Sequence, residues 1–217
     1  MWLTGDSHAE QWKPALLLLA KKHHWKLTYS LLGGCPVADV SFAGYHGKND
    51  PAAIAGCMAG ARSIARMIES DRPQKVFYSI FSRKETLDDG SGRSQDLQYG
   101  SGLPKFWGRW AAAGSMVYVL ADPPLNGYIR DANCVALNPA QPLRCAVPRQ
   151  VAQPPDPMAS AARSMKSSRV KLIDLTDHFC DASQCYAVVG NVGVYYDADH
   201  LNGEFSRLMA PYIERNL

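Results

Sequence analysis

Short runs of β-favouring apolar residues alternate with stretches of helical spacing along nearly the whole chain. That alternation constrains the fold more than any single motif. Trp2-Leu3-Thr4, Lys26 to Leu32, Lys75 to Phe81, Met116 to Ala121 and Val170 to Leu175 read as strands. The third and fourth are almost continuously apolar, as strands buried on both faces are. A helix is expected from about Gln11 to His23, with Trp12, Leu16, Leu19 and His23 on one face. Asp50-Pro51 opens another, a capping carboxylate followed by a proline at the first turn. Ile54, Cys57, Met58, Ala61, Ile64, Ala65 and Ile68 then keep its spacing. Phe106 to Ala113 reads as a short helix, and Phe205, Leu208, Met209, Tyr212 and Ile213 mark a closing amphipathic one. Residues 84 to 104, polar and glycine-rich, are expected to form a long loop, and the six prolines from Pro139 to Pro157 exclude regular structure there. Strand–helix alternation with right-handed crossovers predicts an α/β fold, a three-layer αβα sandwich around a central parallel sheet.

The 217 residues suit a single domain spanning 1–217, and 47% apolar with 20% charged residues makes the chain globular. A formal charge of +3, spread along the sequence, argues against a nucleic-acid partner. The longest apolar run, Ala15 to Ala20, stops at Lys21-Lys22-His23-His24, far short of the roughly 18 residues of a membrane span. Met1-Trp2-Leu3 runs directly into Gly5-Asp6-Ser7, so no secretory leader is expected within these residues. A motif this close to Met1 leads us to expect further protein upstream.

Six cysteines fall into sequence-local couples: Cys35/Cys57, Cys134/Cys145 and Cys180/Cys185. Proximity favours these three disulfides among the 15 possible pairings, and with them an oxidising compartment; buried free thiols are the alternative. Cys180 and Cys185 with His178 lack a second ligand couple, so no metal is expected.

In a doubly wound sheet, reactive groups gather beyond the carboxyl ends of the strands. Gly5-Asp6-Ser7-His8, Gly33-Gly34 and Ser79 to Arg83 should arrive there. A serine hydroxyl needs a base, and the base needs an orienting carboxylate. Asp197 and His200 share one short loop before the last helix, with Asp199 as the alternative carboxylate. Taken singly, a Gly-Asp-Ser tripeptide is usually a turn and an Asp-x-x-His a surface feature; one after the first strand and one before the last helix are far more specific. Asp6 is expected to bond loop backbone, and His8 to line the pocket or cap the turn. Trp107, Trp110 and Tyr128 could stack on sugars, but core packing is the commoner fate.

Gly5-Asp6-Ser7-His8 resembles the first block of the SGNH/GDSL hydrolases, and Asp197-Ala198-Asp199-His200 their last. The chain is more closely similar to the exported SGNH domain that follows the membrane-spanning part of acyltransferase-3 proteins, which O-acetylate lipopolysaccharide and other surface glycans. Gly5-Asp6-Ser7-His8-Ala9, Cys35-Pro36 and Tyr195-Tyr196-Asp197-Ala198-Asp199-His200-Leu201 carry that likeness. It implies a flavodoxin-like fold with Ser7 as nucleophile, His200 as base and Asp197 as orienting acid. It also implies no cofactor, an acetyl donor delivered by a membrane-spanning acyltransferase domain, a glycan acceptor, and a periplasmic domain, monomeric in isolation, tethered to the inner membrane by a segment outside this chain. Gly33 or Gly34 would supply an oxyanion N–H. The asparagine usual after the third strand is missing, with Ser82 and Arg83 in its place, and one lost oxyanion donor costs on the order of 3 kcal/mol. A free-standing carbohydrate acetylesterase and a catalytically vestigial glycan-binding domain are the rival readings.

Overall fold

The computed structural model describes residues 1–45, 47–82 and 86–217. Arg83 therefore lies outside the described residues. The chain divides into two compact units. The first comprises residues 1–10, 26–122 and 156–173, and the second comprises 11–25, 123–155 and 174–217.

The first unit holds β1 (Trp2–Gly5), α1 (Ser7–Glu10), β2 (Thr28–Leu31), α2 (Pro51–Asp71), β3 (Lys75–Ser79), α3 (Gln95–Ala112), β4 (Met116–Leu120), α4 (Pro157–Ser164) and β5 (Val170–Ile173). Its five strands pair in the order β2-β1-β3-β4-β5, all parallel. This is the flavodoxin-like doubly wound order, and the α/β class with a central parallel sheet is as the sequence predicts. Alternate strand residues serve opposite faces. Trp2, Val76, Tyr78, Val117 and Val119 join a buried cluster with Ile64, Ile68, Phe106, Trp110 and Met158 from the helices. Leu3, Phe77 and Tyr118 face the other way and are buried too. Burial on both faces is why these strands carry continuous apolar runs.

α2 starts where expected. Asp50 accepts hydrogen bonds from the N–H groups of Ala52 and Ala53, and the helix ends at Arg72 in the left-handed region, φ 46°. Cys57 on this helix is bonded to Cys35 in the loop after β2.

α3 is much longer than predicted and takes in half of the supposed loop. The reason is tertiary. Gln95 exchanges two hydrogen bonds with the Leu87 backbone, at 2.7 and 2.9 Å. Gln98 accepts from the Asp89 N–H and donates to the Arg93 carbonyl. Gly102 lies against the Asp39 carbonyl, where an added Cβ would stand 2.5 Å away. Polar and glycine residues that read as loop are thus the residues that seat this helix.

In the second unit, the helix Lys13–His23 packs against the helices Gly203–Leu208 and Ala210–Glu214. The closing helix predicted as one piece is broken near Pro211, which has no N–H for the ladder. The proline-rich stretch also departs from expectation. Pro142–Cys145 forms a 3₁₀ turn, Val147–Pro148 pairs antiparallel with Gln184–Cys185, and Arg149–Ala152 makes one helical turn. Here the prolines stand at turn starts and beside pairing rather than against it. Cys134–Cys145 and Cys180–Cys185 are both disulfides, so all three proximity couples are bonded and no free thiol exists. Among the described residues, no helix is long and apolar enough to cross a membrane.

Candidate active site

Gly5 ends β1 opposite Leu31 of β2 and Ser79 of β3. Its φ is +145°, and a Cβ there would fall 1.7 Å from the Ser79 carbonyl oxygen. Only glycine fits so close a backbone approach. The chain then turns directly into α1, a single helical turn whose first residue is Ser7, half-buried.

Asp6 holds this turn from below. It is 2% exposed. One carboxylate oxygen accepts from the His8 N–H at 2.8 Å, the other from the Phe81 N–H at 2.9 Å. The Ser7 turn is thereby tied to the carboxyl end of β3. Burial raises the Asp6 pKa to about 6, against the lowering effect of His8 and the two N–H donors. Asp6 is the backbone anchor that the sequence suggested. His8 is buried as well, its ring stacked on Phe81 at 4.2 Å between centroids and its Nδ1 2.5 Å from Asp122.

Asp122 follows β4, and its N–H donates to Asp156. Asp156 caps α4 by accepting from Met158 and Ala159, and it accepts the Ser82 hydroxyl at 3.0 Å. The hydroxyl hydrogen of Ser82 is thus engaged with a carboxylate. Gly33 and Gly34 form the turn after β2, Gly34 with φ 68°. The Leu32 N–H donates to the Gly5 carbonyl at 3.0 Å, so this turn leaves the sheet beside the Ser7 turn.

Asp197 and His200 lie in the second unit, in a loop closed by the Tyr195–Leu201 bridge and by the bond from the Tyr196 N–H to the His200 carbonyl. Asp197 accepts the N–H groups of Asp199 and His200 at 2.7 and 2.8 Å. Both its oxygens lie 3.0 Å from His200 Nδ1. Burial opposes its charge, yet these hydrogen bonds hold its carboxyl below the usual range. An ionised carboxylate only accepts, so Nδ1 carries the hydrogen and Nε2 is left as the basic nitrogen. Asp199 instead faces the Arg130 guanidinium at 3.6 Å. The Leu201 N–H donates to the buried Gln11 side chain, fixing the loop's far end.

The family model for the SGNH domain fused to AT3 domains matches residues 1–215. The chain belongs to this family. Among solved structures, this SGNH domain is similar to the periplasmic domain of the lipopolysaccharide acetyltransferase of Salmonella ser. Paratyphi A. The identity is 16% and the TM-score 0.71, with 99% of this chain and 81% of that one covered. No curated protein matches it.

Sequence reasoning overlooked Asp122 and Asp156. Asp122 was open to discovery, as a carboxylate straight after a buried strand and before Pro123-Pro124. Asp156-Pro157 repeats the Asp50-Pro51 helix start and escaped only because its surroundings are rich in proline. Trp107 and Trp110 are core residues, as the commoner fate would have it, whereas Tyr128 is 75% exposed.

Proposed function

We propose that this SGNH domain transfers an acetyl group to a hydroxyl of a bacterial surface glycan, such as lipopolysaccharide O-antigen, through an acetyl-Ser7 intermediate. The observation that carries the reading is the Asp197–His200 pair, which presents an imidazole with Nδ1–H fixed and Nε2 basic. His200 Nε2 takes the Ser7 hydroxyl proton as Oγ attacks the acetyl carbonyl. The oxyanion is received by the backbone N–H of Ser7 and that of Gly33 or Gly34. Ser82, engaged with Asp156, acts in this reading by holding its loop. Collapse returns the proton from His200 to the departing donor group and leaves acetyl-Ser7. The acceptor hydroxyl then gives its proton to His200, attacks the acetyl carbon and restores free Ser7.

Family membership supports an acetyl donor handed over by a fused AT3 membrane domain, and the Salmonella relative supports a periplasmic location and a lipopolysaccharide-type acceptor. A cavity of about 250 Å³ beside Asp197, lined also by Arg130, Asp131, Tyr195 and Tyr196, offers the hydroxyl-binding and ring-stacking groups a sugar needs.

The test is turnover of a chromogenic acetyl ester, with mass spectrometry of the quenched protein. The expected result is an acetylated peptide containing Ser7, and loss of both adduct and turnover in Ser7→Ala. Undiminished turnover in Ser7→Ala overturns the reading.

A further inference from the structure

Arg62 and Arg66 lie one turn apart on α2, and Lys105 and Arg109 lie one turn apart on α3. The two i, i+4 pairs line the same surface cavity of about 300 Å³, together with Asp39 and Phe106. Like charges at this spacing destabilise a helix, so each pair costs its own helix stability.

The acids nearby compensate only the second pair. Asp39 bonds Lys105 at 3.1 Å, and Glu69 approaches Arg109 at 3.9 Å. The Arg109 guanidinium also sits over the Phe106 ring, 5.0 Å from its centroid. Lys105 and Arg109 are therefore each paired with an acid. Arg62 and Arg66, both exposed, have no ion pair among the described residues. The lining thus carries four cations against one anion, with Glu69 just outside.

We propose that this groove is a binding site for a phosphoryl group, either a phosphate monoester or a diphosphate. A compact dianion with several acceptor oxygens matches opposed guanidinium forks better than a single carboxylate does. The cavity is too small for a long polyanion to enter as a whole. Such a group could belong to an anionic lipid headgroup or to a soluble phosphorylated sugar, and both present the same chemistry. The site lies in the first unit, and its ligand can be tested without any acetyl chemistry.

The experiment titrates the ¹⁵N-labelled domain with inorganic pyrophosphate at low ionic strength and follows amide shifts. Saturable shifts at residues 62–66 and 105–109 are expected, weakening with added salt. Arg62→Glu/Arg66→Glu should weaken binding by at least about tenfold, from loss of the two uncompensated forks. If that variant does not fold, Arg62→Gln/Arg66→Gln serves, with thermal unfolding as the control. Absence of saturable shifts, or equal affinity in a folded variant, overturns the proposal. Co-sedimentation with phosphatidylglycerol vesicles, against phosphatidylcholine vesicles, assigns the source. Binding that pyrophosphate competes away identifies a headgroup. Pyrophosphate binding without vesicle binding identifies a soluble phosphate.

Discussion

The His8 imidazole lies 2.5 Å from the Asp122 carboxylate, and each side chain is 1% exposed. The residue next to Ser7 is therefore half of a buried pair that joins the ends of β1 and β4. Removing one member of such a buried pair costs about 3–5 kcal/mol. His8→Ala should lose stability of that order in urea unfolding. His8→Ala/Asp122→Ala should lose markedly less than the sum of the two single changes, since the members share one interaction.

Asp6 gives a pH signature. Burial raises its pKa from the ordinary carboxylate range to about 6. The folded state thus binds its proton more tightly than the unfolded state does. The stabilisation from this group is complete below about pH 4 and is lost as pH rises through about 6. Roughly two pKa units correspond to about 3 kcal/mol. The difference in unfolding free energy between wild type and Asp6→Asn should therefore shift toward wild type between pH 7 and pH 4. Urea midpoints measured across that range check it; a difference constant with pH refutes the assignment.

Gly5→Ala should be among the most damaging single-atom additions to the chain. The new Cβ would collide with the Ser79 carbonyl, which is backbone and cannot swing aside. A loss of at least about 3 kcal/mol is expected, with ester turnover falling alongside. Gly33→Ala is the matched control for stability, because open space surrounds its Cβ position. Thermal unfolding of both variants checks the contrast.

The Cys35–Cys57 disulfide spans 22 residues between the loop after β2 and α2. Loop-closure entropy assigns it about 3 kcal/mol. Cys35→Ser/Cys57→Ser should lower the unfolding free energy by that amount under oxidising conditions. Under reducing conditions wild type should fall toward the variant.

Asp197→Asn should keep the loop, because the amide oxygen can still accept the N–H groups of Asp199 and His200. It no longer fixes Nδ1 as the hydrogen-bearing nitrogen. In serine triads such a change lowers kcat on the order of 10⁴-fold with little change in KM. Steady-state kinetics on the chromogenic ester measures it. A loss confined to KM contradicts the orienting role.

The parallel sheet was legible because its strands are buried on both faces and so carry unbroken apolar runs, as in Val76 to Tyr78. The Asp50-Pro51 helix start was legible because a cap is local chemistry. Pairing of the cysteines followed from sequence proximity. α3 was not legible, since Gln95, Gln98 and Gly102 fit a helix only through partners elsewhere, in Leu87, Arg93 and Asp39. At the candidate site, the bond between Asp197 and His200 could be read from a three-residue spacing. The pairings of Asp122 with His8 and of Asp156 with Ser82 could not, because these partners are distant in sequence and meet only across the finished sheet.

The division of the chain has a further consequence. The polypeptide passes between the two units after residues 10, 25, 122, 155 and 173. Neither unit is a contiguous stretch, so no single cleavage liberates one intact, and no truncation deletes one while sparing the other. Dissecting this protein by expressing halves is closed off; its parts have to be probed by substitution in the whole.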